Sequence, residues 1–263
     1  MSLKLTYEQH LDILKRFEND EFQKDIAKIY GVHQTTISKY LHRKPRLYQD
    51  TGNFNLNHEF FKVINTREKA YWLGFLLADG NICNNVISLQ LSKKDLDHLK
   101  LFQKTFLAEK YKIQFRKTQD TCVISFKSKY LANDLISHGV TPRKSLTAEF
   151  PVGVPDELIS AVIRGIFDGD GHVTICNNRP QYGFTGTYKL LNSIQKFLNV
   201  NTKISKRKNA NCYQFVCNKE ENFMKFYNYI YKDATTHLSR KKQRFDELIK
   251  EKYAKQTKII CMV

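Results

Sequence analysis

The chain has 263 residues, 41% of them hydrophobic, with 18 Phe and 14 Tyr; this is enough for a sizeable core and excludes a disordered chain. Lys+Arg 43 against Asp+Glu 26 leaves a net charge of +17, which points to a polyanionic partner. No apolar run reaches the ~18 residues of a membrane span, so no membrane partner is expected.

The first ten residues carry no apolar secretory core. The six Cys show neither a C-x-x-C pair nor any spacing of a zinc site or disulfide framework. An intracellular, reducing compartment is expected. The charge is uneven: residues 1–65 carry a net +2 and the remainder +15. The larger C-terminal part would supply most of any attraction to phosphate.

In chain order, Thr6 is placed to cap a helix from Tyr7 to Phe17, with Leu11, Leu14 and Phe17 facing inward. A second helix, Gln23–Tyr30, is broken by Gly31, and a third runs Gln34–His42. Ile26, Ala27, Tyr30, Val32, Ile37 and Tyr40 form the apolar set of this pair. Ala27 at the crossing and Gly31 in the turn resemble a helix-turn-helix, which would occupy residues 1–45. That resemblance implies Gln34, Thr35, Thr36, Ser38 and Lys39 in the major groove, with Arg43 and Lys44 on phosphates. Residues 46–65, with Asn at 53, 55 and 57 and no periodicity, read as a linker.

Beyond it the chain repeats itself. Trp72-Leu-Gly-Phe-Leu-Leu-Ala-Asp-Gly80 matches Ile163-Arg-Gly-Ile-Phe-Asp-Gly-Asp-Gly171, with Asp79 and Asp170 separated by 91 residues. Both read as helices ending in Asp-Gly. Each is succeeded by short strands (Val86–Ser92; Gln181–Thr185), a helix (Asp95–Leu107; Lys189–Leu198) and two alternating strands. The strand pairs are Lys110–Lys117 with Cys122–Lys127, and Thr202–Lys208 with Cys212–Cys217. Helices Lys129–His138 and Glu220–Tyr231 close the halves, and a last helix spans Ser239–Tyr253 before a tail at 254–263. The order per half is α-β-β-α-β-β-α.

Gly74/Ala78 and Gly165/Gly169 are small residues one turn apart, a spacing that lets two helix backbones pack very closely. Leu73, Leu76, Ile163 and Ile166 would flank that contact. Asp79 and Asp170 then end their helices at the negative pole of the dipole, beside each other. Such placement opposes stability and asks for a cation between or beside them.

The two motifs, each with its matching run of strands and helices, resemble the LAGLIDADG homing endonuclease family in its single-chain, two-motif form, over residues 66–253. The resemblance implies an α+β fold of two pseudo-symmetric αββαββα halves, 66–150 and 151–253, whose antiparallel sheets form a saddle on double-stranded DNA. It implies that Asp79 and Asp170 hold Mg²⁺ (or Mn²⁺, with Ca²⁺ supporting binding without cleavage), with the Ala78 and Gly169 carbonyls as co-ligands. Lys93, Lys144 and Lys241 are the basic residues expected near the metal; the counterpart of Lys93 falls near Tyr188, which makes the halves unequal. Asp168, opposite Leu77 in the repeat, is a secondary candidate.

Alternation places Ile87, Leu89, Leu91, Tyr111, Ile113 and Phe115 inward. It turns Ser88, Gln90, Ser92, Lys112, Gln114 and Arg116 toward DNA, with Thr174, Gln181, Thr185, Lys203, Ser205 and Arg207 in the second half. The expected function is a sequence-specific, Mg-dependent endonuclease that acts as a monomer on a long, non-palindromic site. The alternative is a non-cleaving regulator or intron-splicing maturase on the same fold; the presence of both acids favours the enzyme.

Overall fold

The computed structural model describes residues 5, 7–42, 56–106, 111–116, 119–208 and 210–260. Two compact units, Met1–Phe54 and Asn55–Val263, divide the chain.

In the first unit, α1 (Tyr7–Glu18), α2 (Gln23–Ile29) and α3 (Gln34–Leu41) enclose a small core of Ile13, Ile26, Ala27 and Ile37. Tyr30, Val32 and Leu41 pack around it. Gly31 sits at φ +61°, the left-handed region the turn demands. His10 donates its Nε2–H to the Tyr40 carbonyl at 2.7 Å and ties α1 to the end of α3. One expectation fails here: Leu11 and Phe17 are exposed, and α1 turns His10 and Ile13 inward instead. The cause is size. With α2 and α3 only 7 and 8 residues long, their crossing covers little more than one turn of α1. Leu11 is about 100° around from His10, and Phe17 lies past the covered turn. The capping residue Thr6 lies outside the described residues, as do Arg43 and Lys44.

The second unit opens on residues expected to be linker. Leu56, Phe60, Phe61 and Ile64 are buried in its core, so residues 56–65 belong to the domain. The intervening Asn and polar residues conceal this apolar set from any periodic reading; 46–55 lie outside the described residues.

Two matching halves make up the rest. The first is α4 (Arg67–Asp79), β1 (Gly80–Cys83), β2 (Val86–Ser92), α5 (Leu96–Phe106), β3 (Gln114–Arg116), β4 (Thr121–Lys127) and α6 (Lys129–Ser137). The second is α7 (Ile159–Asp170), β5 (Gly171–Cys176), β6 (Arg179–Gly186), α8 (Tyr188–Leu198), β7 (Ser205–Lys206), β8 (Tyr213–Cys217) and α9 (Glu220–Tyr231), with α10 (Ser239–Ile260) behind it. Helix α10 therefore runs through most of the residues expected to be a tail. Each half folds an antiparallel four-stranded sheet, in the orders β1-β2-β4-β3 and β5-β6-β8-β7. Both first hairpins turn on two asparagines at positive φ, Asn84/Asn85 and Asn177/Asn178, as a tight type I′ turn requires.

Helices α4 and α7 pack against each other through their small residues. A Cβ on Gly74 would lie 2.1 Å from the Val162 carbonyl oxygen, and one on Gly165 would lie 2.1 Å from that of Tyr71. A Cβ on Gly169 would meet the Ala78 Cβ at 2.3 Å. Leu73, Leu76, Ile163 and Ile166 fill the surrounding core.

Register settles the sheet faces. Asn81 pairs with Ser88, Ser88 with Ser125 and Gln90 with Val123; on the edge, Gln114 also pairs with Val123 and Arg116 with Thr121. Ser88, Gln90, Ser92, Gln114 and Arg116 thus share the face away from Ile87, Leu89 and Leu91. In the second sheet Thr174 pairs with Gln181, while Thr185, Gln214 and Ser205 align across three strands. The edge strands are shorter than expected, so Lys112, Lys203 and Arg207 flank them rather than lie within them. Phe115 points to the core side by register yet is 55% exposed, because its edge strand has only three residues and extends past the helix cover.

Candidate active site

The close packing of α4 and α7 brings their C-terminal carboxylates together. Asp79 Oδ2 lies over the backbone of Gly169, 3.2 Å from where a Cβ would stand, which places it across the interface beside Asp170. Among the described residues neither carboxylate has a hydrogen bond or ion pair. Both are open to solvent on one side and crowded by protein on the others. Partial desolvation, with repulsion from Asp170, pushes Asp79 up to about 6. Desolvation also pushes Asp170 above the ordinary carboxylate range, against the pull of Lys144 and Lys241.

The lysines cap the motif helices. Lys144, on a 3₁₀ turn (Lys144–Leu146), donates to the Gly80 carbonyl. Lys241, in the first turn of α10, donates to Phe167 O at 2.7 Å, Gly169 O at 3.0 Å and Gly171 O at 2.6 Å. Both ammonium groups face the negative ends of the helix dipoles. Burial pushes Lys241 down to about 8 despite Asp168, Asp79 and Asp170 nearby, and lowers Lys144 as well.

The other candidates divide. Lys93 has a partner of its own: just past the end of β2 its Nζ pairs with Asp120 at 3.1 Å. The Gly169 carbonyl is already bonded to Lys241, whereas Ala78 packs its side chain on Gly169. Asp168 is 1% exposed and is a buried acceptor, taking Tyr71 O–H at 2.8 Å and the Leu238 N–H at 2.7 Å. Arg164, equally buried, donates to Thr236 O and Ile230 O, and Arg240 holds buried Asp95 at 2.8 Å. These contacts join residues far apart in sequence and carry no local pattern.

His172, two residues beyond Asp170, is a neighbour of the site that the repeat does not single out. It lies on the outer sheet face against the backbone of Gly183, with burial and the Lys241 charge lowering its pKa. Its place in the first half is taken by Asn81. The alternation of β5 after the Asp-Gly pair is the signal that would reveal it.

The donor set suits a hard divalent cation. Two unpaired carboxylates meet, and no third His, Cys, Asp or Glu joins them into a metal-binding group among the described residues. Mg²⁺ is held in this manner, by one or two carboxylates with substrate phosphate and water completing the shell. The protein without metal should respond to pH accordingly. Asp79 protonates more readily folded than unfolded, so its stabilising contribution is full below pH 3.8 and is lost as the pH rises through about 6. Urea midpoints measured from pH 4 to pH 7 should show this loss, and Asp79→Asn should remove it.

Comparison with known proteins agrees with this architecture. The LAGLIDADG-like domain family matches residues 157–231. The DNA-directed RNA polymerase subunit Rpo1C of Methanocaldococcus jannaschii is 27% identical over 128 residues, 46% of this chain but only 13% of that protein's length. The I-LtrWI LAGLIDADG homing endonuclease bound to target DNA superposes with TM-score 0.53 at 15% identity, covering 77% of this chain and 92% of its own. The LAGLIDADG meganuclease I-AabMI bound to uncleaved DNA gives 0.52 at 11% identity over 72% and 91%. Meganuclease I-SmaMI bound to uncleaveable DNA gives 0.50 at 15% identity over 72% and 91%. At such identities the likeness is one of fold. Residues 157–231 match the LAGLIDADG-like domain family, and the α+β fold of the unit from Asn55 onward is similar to that of these LAGLIDADG endonuclease structures.

Proposed function

We propose that this protein is a divalent-metal-dependent, sequence-specific DNA endonuclease that hydrolyses both strands of a long, non-palindromic duplex site as a monomer in a reducing, intracellular compartment. The observation that carries the reading is the convergence of unpaired Asp79 and Asp170 at the ends of two touching helices. A packing arrangement that crowds two carboxylates against two dipole ends is unfavourable by itself and gains its purpose with a cation. Asp79 and Asp170 would hold Mg²⁺, with Ala78 O nearby. The bound ion would activate water and neutralise charge on the scissile phosphate.

The chain's own residues do the rest. Lys144 and Lys241 bring positive charge to the rim of the carboxylate pair, where charge develops during phosphodiester hydrolysis. Ser88, Gln90, Gln114 and Arg116 on one sheet, and Thr174, Gln181, Thr185 and Ser205 on the other, form polar faces suited to base edges. Gln90 already donates to Thr121 Oγ1 at 3.2 Å, so part of this face is ordered. Lys93, Lys112, Lys203 and Arg207 lie around these faces and suit phosphate contact rather than chemistry. In the first unit Gln34, Thr35 and Lys39 are exposed on α3, with Thr36 and Ser38 half-buried, a set suited to a second groove.

The direct test is incubation of the protein with a randomised duplex library and Mg²⁺, followed by sequencing of the ends. Recovery of one site with both strands cut supports the reading, and binding without any cut would return the protein to a regulator or maturase. Binding should weaken with salt at a slope of log K against log salt of about −5 to −9, as roughly six to ten phosphates are neutralised. A slope near zero in a filter-binding titration would exclude the DNA-facing sheets. Deletion of residues 1–45 should leave the cleavage chemistry at saturating protein and shorten the footprint. Loss of all cleavage by a folded truncation would refute that division of labour.

A further inference from the structure

His138 meets three stretches of chain at one point. It caps the C-terminus of α6, and its backbone carbonyl accepts the Val152 N–H at 3.1 Å. Its ring Nδ1 lies 2.8 Å from the Val152 carbonyl oxygen, and its Nε2 lies 2.9 Å from the Phe61 carbonyl oxygen. One residue thereby pins the base of the loop 139–151, on the connector that leads from α6 to α7, and ties it to the segment 56–65 at the start of the domain. The ring is half-buried, with Gly153 packed beside it.

A carbonyl oxygen only accepts. A neutral imidazole has one N–H and one bare nitrogen, so it can serve one of these two oxygens and would turn a lone pair to the other. Both contacts are hydrogen bonds only when both ring nitrogens carry hydrogen, as in the imidazolium cation. The surroundings suit that charge. The ring stands at the negative end of the α6 dipole, and Asp134, one turn back, interacts with it. The other charged groups acting on Asp134 are Lys62 and Glu59 of the 56–65 segment, which pair with each other at 3.1 Å. His58, on the same segment, bonds instead to Ser128 at the opposite end of α6. From the connector, residues 150–154 are all uncharged.

We propose that His138 is a proton-operated clasp: the imidazolium ties the loop between the halves to the 56–65 segment, and loss of one ring proton to water opens one of its two contacts. Imidazole changes charge between about pH 5 and pH 8. The loop is therefore tied at the acid end of that range and loosened at the alkaline end, and the stability the clasp contributes is lost as the pH rises. The same loop carries Lys144 to the Gly80 carbonyl, so its looseness bears on the neighbourhood of the carboxylate pair. The clasp does not depend on the endonuclease reading.

The test is hydrogen exchange on the full-length protein, followed at the Val152 amide, whose bond to the His138 carbonyl reports the base of the loop. After correction for the intrinsic rate, and relative to a core amide such as that of Leu73, exchange should be at least about tenfold faster at pH 8 than at pH 5.5. The ¹⁵N shifts of the His138 ring should show both nitrogens protonated at pH 5.5 and one bare at pH 8. His138→Phe keeps the bulk of the ring without a donor and should exchange fast at both pH values. His138→Gln offers its amide donor at any pH and should lose the pH dependence. Equal wild-type protection of Val152 at the two pH values would overturn the proposal. So would a ring that is neutral at pH 5.5 or still doubly protonated at pH 8, or a His138→Gln variant that keeps the tenfold change.

Discussion

Asp79→Asn and Asp170→Asn should each lower Mg²⁺-supported cleavage by at least about 10²–10³-fold, the scale seen when a group that stabilises transition-state charge is removed. Asn keeps the size and hydrogen-bonding capacity of Asp and removes only the charge that would hold the ion. The same substitutions should leave the fold intact or stabilise it by up to ~1 kcal/mol in metal-free buffer, since each removes a negative charge from a helix C-terminus and from beside another carboxylate. The flanking lysines do not reverse this sign: Asp79 is still pushed up to about 6 with Lys241 and Lys144 present. Binding of the duplex in Ca²⁺ should persist, because the sheet faces are untouched. A nicking assay beside thermal melts of both variants makes the check. Full double-strand cleavage by either variant would remove the catalytic assignment, and a large loss of stability would make these aspartates structural.

Gly165→Ala should be a severely damaging substitution at the α4–α7 contact. In an ordinary helix the change gains up to ~1 kcal/mol of propensity. Here the new Cβ would lie 2.1 Å from Tyr71 O, 2.6 Å from Phe75 N and 3.1 Å from Gly74 C, all backbone atoms of α4. No side chain can swing aside, so the two helices must separate. Overpacking of this kind costs about 1–3 kcal/mol and sometimes more, which in a domain of this size lowers the melting temperature by roughly 2–4 °C for each kcal/mol. The shift also parts Asp79 from Asp170, so cleavage should fall more than stability alone explains. Gly186→Ala is the control. Its Cβ would meet only side-chain atoms, the tip of Leu190 at 3.3 Å and Leu191 at 3.7 Å, and the variant should melt close to wild type. Equal melting of the two variants would show that the helix contact is looser than its geometry implies.

The motif pairing explains why so much of this fold is legible in one sequence. Asp79 and Asp170, with Gly74/Ala78 and Gly165/Gly169 one turn before them, encode a contact through local spacing, and the helices meet there. Strand alternation likewise assigns Ser88, Gln90, Gln114 and Arg116 to one face, because a period of two is a property of the strand itself. The helix Glu220–Tyr231 has the bounds its pattern predicts.

Other features depend on partners brought from elsewhere in the chain. Lys93 and Lys144 look alike as isolated basic residues, yet one pairs with Asp120 and the other reaches Gly80. Asp168 reads as a third acid beside the motif, but Tyr71 and Leu238 draw it into the interior. Leu56, Phe60, Phe61 and Ile64 show no period because they fill gaps in a core built by later elements. Phe115 alternates correctly and is still exposed, since cover comes from a helix and not from the strand. By itself the sequence determined the repeat, the helix contact and the two carboxylates, all set by spacing along one element. Which cation meets which carbonyl, and which acid is buried, was decided by tertiary packing, because those distances close between residues 64 to 145 positions apart.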